Sequence, residues 1–162
     1  MVTTARTGVT TFATPTDREV VFTRVVDAPR RIVYDAYTTP EHLQQWLLGP
    51  PGWTMPICEL DLRPGGAWRY VWRKGDGSEM TLSGLVKEVR PPEKLQMTES
   101  WGPEWPDTLN TIEFSESGGQ TTITTTVLYP SKDARDAALK TGMREGMDHG
   151  FARLDQLLAT LV

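Results

Sequence analysis

One carboxylate of this sequence lies among apolar side chains, where it could take part in chemistry. The predicted strand at residues 95–101 alternates so that one of its faces carries Leu95, Met97, Glu99 and Trp101. Burial among apolar neighbours raises the pKa of a carboxyl group, which suits a general acid or base, or an anchor for a ligand. Alternatively, Glu99 lies near the open end of the strand and reaches water.

Aromatic and methionine side chains could line an apolar cavity beside this carboxylate. Residues 67–73 alternate, which places three rings on one face of a second predicted strand: Trp68, Tyr70 and Trp72. Further candidates for the lining are Met80, Met97, Trp101, Met143 and Met147. Methionine adapts to ligands of varied shape. The alternative interpretation is that all of these side chains simply fill the core.

Polar and aromatic residues on other segments could complete such a site. Asn110 and Thr125 have the parity of inward-facing residues on neighbouring strands, and they could hydrogen-bond Glu99 or a ligand. Three tryptophans in or beside loops could surround a cavity mouth or a partner surface, or pack locally under the loops: Trp46, Trp53 and Trp105. The loop at residues 49–53 is the candidate lid.

The sequence offers no recognisable metal site, cofactor site or catalytic nucleophile. His42 and His149 have no metal-ligand spacing, and we expect both on solvated helix surfaces. The single cysteine, Cys58, cannot form an internal disulfide or a structural zinc site, and we expect an inert buried thiol. We therefore predict no metal, no cofactor and no catalytic residue.

Composition restricts the classes of partner. The chain has 162 residues, a formal net charge of −4 and an isoelectric point near 5.2. No run of Lys and Arg exceeds two residues, so nucleic-acid binding is disfavoured, because phosphate neutralisation needs a basic face. No apolar run approaches the ~18 residues that a membrane span requires. We predict a cytoplasmic protein that is a monomer or a homodimer.

The first 16 residues differ from the rest of the chain. They are rich in threonine, contain no acidic residue and show no periodicity. We predict a disordered tail over residues 1–16, with a transit peptide as the alternative, and a single domain over residues 17–162.

Periodicity and turn signals give the order of the elements in this domain. A β-branched strand at residues 19–26 precedes two short helices, the second of which begins at Thr39-Pro40-Glu41. Six alternating segments joined by Gly- and Pro-containing turns then follow between residues 55 and 129. The prediction is an α+β fold with a curved, seven-stranded antiparallel sheet wrapped around a long C-terminal helix.

The C-terminal segment from Ser131 to Leu161 contains no proline and predicts one helix more than ~40 Å long, with Ser131 as the N-cap. A small stripe follows it at intervals of four residues: Ala134, Ala138, Gly142, Gly146 and Gly150. A bulky stripe lies beside it: Leu139, Met143, Met147, Phe151, Leu154, Leu158 and Leu161. Small residues opposite the sheet would leave volume for a cavity; close contact of the glycine backbone with the sheet, or a bend, is the alternative.

The ordered set of turns and helix starts resembles the activator-of-heat-shock-protein-90-ATPase-homologue family of the SRPBCC (START-like, birch-pollen-allergen-like) superfamily. The resemblance extends over residues 19–162 and rests on Ala28-Pro29, Thr39-Pro40-Glu41 with Trp46, Gly49-Pro50, residues 59–66, Gly75-Asp76-Gly77, Gly84 with residues 91–95, Ile112-Glu113-Phe114 and residues 150–157. Phe151 departs from the tryptophan expected there, and it keeps the aromatic character. The resemblance implies a helix-grip fold with a cavity between sheet and helix.

Three functions are compatible with these features. The first is the binding of a small, largely apolar or aromatic molecule, or a lipid, inside the grip. The second, implied by the resemblance, is an interaction protein that activates a chaperone partner. The third is an enzyme of the cyclase or hydratase type that uses Glu99, and no nucleophile–base pair supports it.

Overall fold

The structure, a computed structural model, describes residues 7–162. The strands of this part are β1 Thr10–Ala13, β2 Glu19–Val26, β3 Trp53–Leu60, β4 Ala67–Lys74, β5 Glu79–Arg90, β6 Lys94–Glu99, β7 Thr108–Ser117 and β8 Gln120–Leu128. The helices are α1 Arg30–Thr38, α2 Pro40–Trp46, α3 Lys132–Leu139 and α4 Met143–Leu161. This order confirms the predicted α+β class.

All eight strands form one antiparallel sheet in the order β1-β2-β8-β7-β6-β5-β4-β3. The predicted number of seven strands is wrong, because β1 adds an eighth strand next to β2, with Phe12 opposite Phe22. Residues 10–13 were assigned to the disordered tail, and their pairing corrects that assignment. Residues 1–6 lie outside the described residues.

The two helices after β2 pack as a pair. Pro40 occupies the first turn of α2, where a backbone N–H has no partner within the helix, so the N–H that proline lacks is not needed. Thr39 precedes it in an extended conformation. The indole Nε1 of Trp46 donates a hydrogen bond to the Ala36 carbonyl at 2.9 Å, which joins the end of α2 to α1. Trp46 is therefore a structural member of the core.

The C-terminal segment is two helices, so the prediction of one continuous helix is wrong. Ser131 caps α3 as predicted, and its hydroxyl accepts a hydrogen bond from the Ala134 amide at 3.1 Å. Gly142 has φ of +76°, a left-handed conformation that ends helical geometry and that glycine adopts without steric cost. Helix α4, with 19 residues, is about 28 Å long.

The two halves of α4 differ in burial. The C-terminal half contributes Phe151, Leu154, Leu157 and Leu158 to the core. The N-terminal half presents Met143 and Met147, which are only half-buried. The helix grip is thus tightly packed at one end and looser at the other. Within residues 7–162, no helix is both long and apolar enough to cross a membrane.

Candidate functional site

Four aromatic rings form a ladder across the inner face of the sheet. The ring centroids of Trp68 and Tyr70 are 4.7 Å apart, those of Tyr70 and Trp72 are 6.0 Å apart, and those of Trp72 and Trp101 are 6.0 Å apart. Exposure rises along this aromatic ladder, from 2% at Trp68 to 40% at Trp101. The ladder therefore connects the core with the surface at one end of the sheet.

A glycine on β5 makes room for the inner end of the aromatic ladder. Gly84 pairs with Trp68 across the strands, and the indole Nε1 of Trp68 donates to the Thr98 carbonyl at 3.1 Å. A Cβ on Gly84 would lie 1.9 Å from that carbonyl oxygen and 2.9 Å from Trp68 Nε1. Because no side chain fits there, the indole can cross β5 and reach β6.

The loop that follows α2 and leads into the candidate lid at residues 49–53 is attached on both sides. Trp72 Nε1 donates to the Leu47 carbonyl at 2.7 Å, which joins the loop after α2 to the sheet. Arg153 Nη1 donates to the Gly49 carbonyl at 2.7 Å, which joins the same loop to α4. Residues 47–49 therefore close the grip between β4 and α4.

Glu99 faces two polar side chains of β7. It pairs directly with Thr108, and Asn110 lies two residues further along β7 on the same face. Desolvation by burial raises the pKa of Glu99 to about 7, although the side chain is half-buried, and the Asn110 amide opposes this rise. The amide Nδ2 nevertheless meets no acceptor in hydrogen-bond geometry within residues 7–162, so the contact is polar without a formed hydrogen bond.

Two tyrosines lie near the same carboxyl group. Burial, and then the charge of nearby Glu99, raises the pKa of Tyr129 to about 12. Burial raises the pKa of Tyr70 above its usual range as well, with smaller contributions from Cys58 and Glu99. The Tyr129 hydroxyl also lies 4.0 Å from the sulfur of Met143. The carboxyl group is thus close enough to both phenol groups for its charge to raise their pKa values, and one of these phenols, Tyr129, contacts the start of α4.

The candidate lining residues differ in exposure. Seven are buried: Trp46, Trp68, Tyr70, Trp72, Met97, Asn110 and Thr125. Three are half-buried: Glu99, Met143 and Met147. Met80 and Trp101 are exposed at the edge of the aromatic ladder, since Met80 pairs with Trp72. Trp46 stands apart from the ladder, because it stacks on Phe151, with centroids 6.5 Å apart, between α2 and α4.

The two glycines of the small stripe that lie within α4 do not face the sheet, whereas Ala134 and Ala138 on α3 pack against the core. A Cβ on Gly146 would meet Pro50 Cδ at 3.6 Å, and one on Gly150 would meet the Trp46 carbonyl oxygen at 3.6 Å. These glycines lie against α2 and the loop that follows it. Of the two alternatives, close contact of the glycines with the sheet is not found, and the bend is found at Gly142.

The two histidines and the cysteine have different environments. His149 Nε2 lies 3.9 Å from Glu145 Oε1, one turn earlier on α4, and both side chains reach solvent. His42 is half-buried rather than solvated, and its Nδ1 has no partner within residues 7–162. Burial raises the pKa of Cys58 to about 11, which keeps the thiol protonated and poorly nucleophilic. Across the described residues, no group of three potential ligands could hold a metal ion.

Two surface clefts stand out, and neither touches the aromatic ladder. One, of about 210 Å³, lies between β1 and the start of α4 and is lined by Phe12, Ala13, Thr14, Val20, Leu139 and Arg144. The other, of about 720 Å³, is a shallow surface depression lined by Thr16, Asp17, Arg18, Glu19, Leu128 and Lys132.

Sequence reasoning missed Thr108 and Tyr129. Tyr129 continues the inward parity of Thr125 and Val127, so extending that alternation by two residues would have identified it. Thr108 was hidden because its place opposite Glu99 depends on the register of β6 against β7, which no local pattern encodes.

The curved antiparallel sheet, the helix pair after β2 and the C-terminal α4 define a helix-grip protein of the SRPBCC superfamily. The model of the family described as Activator of Hsp90 ATPase homolog 1-like protein matches residues 27–159. The chain belongs to that family.

Solved structures share this fold. A protein from Rhodobacter sphaeroides is 28% identical, with a TM-score of 0.88 over 95% of this chain and 100% of that chain. A protein from Nitrosomonas europaea is 26% identical, with a TM-score of 0.79 over 89% of this chain and 96% of the other. The AHSA1 protein from Silicibacter pomeroyi, at 20% identity and a TM-score of 0.73 over 89% and 99% of the two chains, supports the fold alone. A search of curated proteins found no match.

Proposed function

We propose that this protein binds a small, largely apolar ligand between the aromatic ladder and the N-terminal half of α4. The rise in exposure along the ladder, from Trp68 to Trp101, is the observation that carries the proposal. Rings that cross the core and end at the surface offer a continuous apolar path for a flat ligand. The cytoplasm is the proposed compartment, since the one cysteine is a free thiol.

Several features favour an entrance at one end of the sheet. Glu99 and Trp101 lie at the end of β6, Tyr129 follows β8, and Met143 begins α4. Met143 and Met147 are half-buried, and flexible thioether side chains can move aside at small cost. The opposite end, with Phe151, is closed core. Ligand entry therefore requires rearrangement of a few side chains rather than opening of the whole grip.

Membership of the family adds weight to this proposal. Proteins of the SRPBCC superfamily commonly bind hydrophobic ligands. Because one fold can host different functions, the ligand has to be inferred from the residues of this chain. The aromatic ladder favours an aromatic or alicyclic body over a long flexible chain, since rings stack on rings with little loss of conformational freedom.

A screen with a blocked variant tests the proposal. Lipids and aromatic metabolites are added to the protein, and binding is measured by native mass spectrometry and by the shift in melting temperature. The Met147→Trp variant should fill the space beside α4 and abolish binding, whereas Trp105→Ala, on the exposed 102–106 loop, should bind as the natural sequence does. Absence of binding across the panel, or full binding by Met147→Trp, would contradict the proposal.

Activation of a chaperone ATPase is the second candidate function. The description of the matching family and two exposed tryptophans, Trp101 and Trp105, favour it, because exposed tryptophans are enriched at protein interfaces. A pull-down with an Hsp90 chaperone and a measurement of its ATPase rate would test it. If the chaperone is not captured and its ATPase rate does not change, this second candidate function is excluded.

A further inference from the structure

We infer that Glu99, Thr108 and Asn110 form a polar subsite that recognises a neutral hydroxyl group at one end of an aromatic ligand. The inference deepens the proposed function, and it rests on the ligand-binding role proposed there. It assigns a chemical class to the ligand: an aromatic alcohol, with its ring system on the aromatic ladder and its hydroxyl group on β7.

The first observation is the presence of polar atoms that lack partners. Asn110 is 4% exposed and Thr108 is 8% exposed. The Asn110 Nδ2 and Thr108 Oγ1 atoms are fully buried and make no hydrogen bond within residues 7–162. Buried polar groups in folded proteins are nearly always paired, so two unpaired ones on the same strand face indicate an absent partner.

The second observation is that these atoms share one face with a carboxyl group. Glu99 pairs with Thr108 across β6 and β7, and Met97 pairs with Asn110. Alternation along β7 puts Thr108 and Asn110 on the same side, so all three polar side chains converge. Glu99 lies two residues before Trp101, the last ring of the aromatic ladder, and its charge contributes to the raised pKa of Tyr70, the second ring.

The donors and acceptors of this subsite select the ligand group. Asn110 Nδ2 needs an acceptor, and the Glu99 carboxylate accepts a donor. A hydroxyl group satisfies both, since it donates its proton to Glu99 and accepts from Asn110. A carboxylate on the ligand would be repelled by Glu99, and an ammonium group would leave Asn110 Nδ2 without an acceptor.

The position of the aromatic ladder selects the rest of the ligand. Tyr70 and Trp72 lie edge to face, with an interplanar angle of 88°, and Trp72 and Trp101 are stacked. A flat ring system can continue this arrangement from the polar subsite toward the surface. The half-buried Met143 and Met147 of α4 would cover its other face.

A series of naphthalene probes tests the inference. Binding of 2-naphthol, naphthalene and 2-naphthoate to the full chain is measured by isothermal titration calorimetry at about pH 8, above the pKa of about 7 of Glu99, so that its carboxyl group is ionised. We expect 2-naphthol to bind about tenfold more tightly than naphthalene, which corresponds to the net contribution of its hydrogen bonds, and 2-naphthoate to bind most weakly. Equal affinities for 2-naphthol and naphthalene would overturn the inference and leave the proposed function standing. Absence of binding by all three would overturn both.

Variants assign the preference to the subsite. Asn110→Leu keeps the approximate volume and removes the donor, so the preference for 2-naphthol over naphthalene should fall to less than about threefold. Thr108→Val is the second variant, and it replaces Asn110→Leu if that variant does not fold. It should also lower the preference for 2-naphthol over naphthalene. Thr124→Ala, on a neighbouring strand and of opposite parity to Thr125, is the matched control and should retain the full preference. An unchanged preference in the subsite variants would overturn the inference.

Discussion

Arg24 and Asp155 form an ion pair, with Nη2 2.6 Å from Oδ2, between residues that are 131 positions apart. The pair joins β2 to α4 at the closed end of the grip. Arg24 also donates to Thr10 Oγ1 at 3.0 Å, and its guanidinium lies 5.4 Å from the ring centroid of Phe151. One buried arginine therefore joins β1, β2 and α4, and it fixes the half of α4 that lies away from the proposed entrance.

Asp155→Asn should lower the free energy of unfolding by about 2 kcal/mol. The substitution removes the charge that compensates a buried guanidinium, and the loss is smaller than for a fully buried pair because the Asp155 side chain is 35% exposed. Denaturation by urea measures the change. Asp148→Asn, on the exposed side of the same helix, is the control and should change stability by less than about 0.5 kcal/mol. Equal effects of the two substitutions would contradict the role of the pair.

Gly84→Ala should destabilise the protein by about 3 kcal/mol or more. Its Cβ would overlap the Thr98 carbonyl oxygen at 1.9 Å, and backbone atoms cannot move aside without disrupting the pairing of β5 with β6. Gly75→Ala is the matched control, because a Cβ there meets nothing within 4 Å and its backbone does not require glycine. Equilibrium unfolding measures the stability of both variants. If Gly84→Ala is as stable as Gly75→Ala, glycine is not required at position 84.

Local patterns predicted the parts of the fold that depend on alternation, and missed those that depend on register. The shared face of Trp68, Tyr70 and Trp72 followed directly from parity. The strand at residues 10–13 is too short to show a period, and it forms because β2 offers a free edge. The break at Gly142 was invisible for a different reason: glycine is compatible both with a small stripe on a helix and with a left-handed turn, and packing decides between them.

The candidate site was predicted only in outline for the same reason. Glu99 was placed correctly on its face of β6, but whether it meets water or polar partners depends on which residue of β7 lies opposite. The predicted contribution of the small stripe failed because the direction in which Gly146 and Gly150 face is set by the docking of α2 on α4. Such long-range packing cannot be inferred from the pattern of any single segment of the sequence.

Glu99 should make stability depend on pH. The pKa of Glu99 is about 7 in the folded protein and 4.5 in the unfolded chain, so the folded state binds the proton more tightly. The stabilisation is complete below about pH 4.5 and is lost as the pH rises to about 7. Relative to Glu99→Gln, the natural protein should lose about 2 kcal/mol over this interval, a value reduced for partial exposure. Parallel stability–pH curves for the two proteins would show that Glu99 is fully solvated.

Trp72→Phe should loosen the loop after α2. The substitution keeps an aromatic ring in the ladder and removes the donor that holds the Leu47 carbonyl at 2.7 Å. Loss of one such hydrogen bond should lower stability by about 1 kcal/mol and speed amide hydrogen exchange in residues 47–53. Trp105→Phe, in an exposed loop, should leave the exchange of that segment unchanged. If exchange in the segment is equally slow in both variants, the Arg153 contact alone closes the loop.

Two glycines four residues apart should respond to alanine with opposite signs. Gly142 has φ of +76°, where an alanine is strained, so Gly142→Ala should lower the free energy of unfolding by about 1 kcal/mol. Gly146 lies within α4, and its Cβ would meet Pro50 at an ordinary contact distance of 3.6 Å, so Gly146→Ala should raise stability by about 1 kcal/mol through helix propensity. Thermal and urea unfolding measure both variants. Stabilisation by both substitutions would mean that α3 and α4 can join into one helix at no cost, and that the break at Gly142 does not define the start of α4.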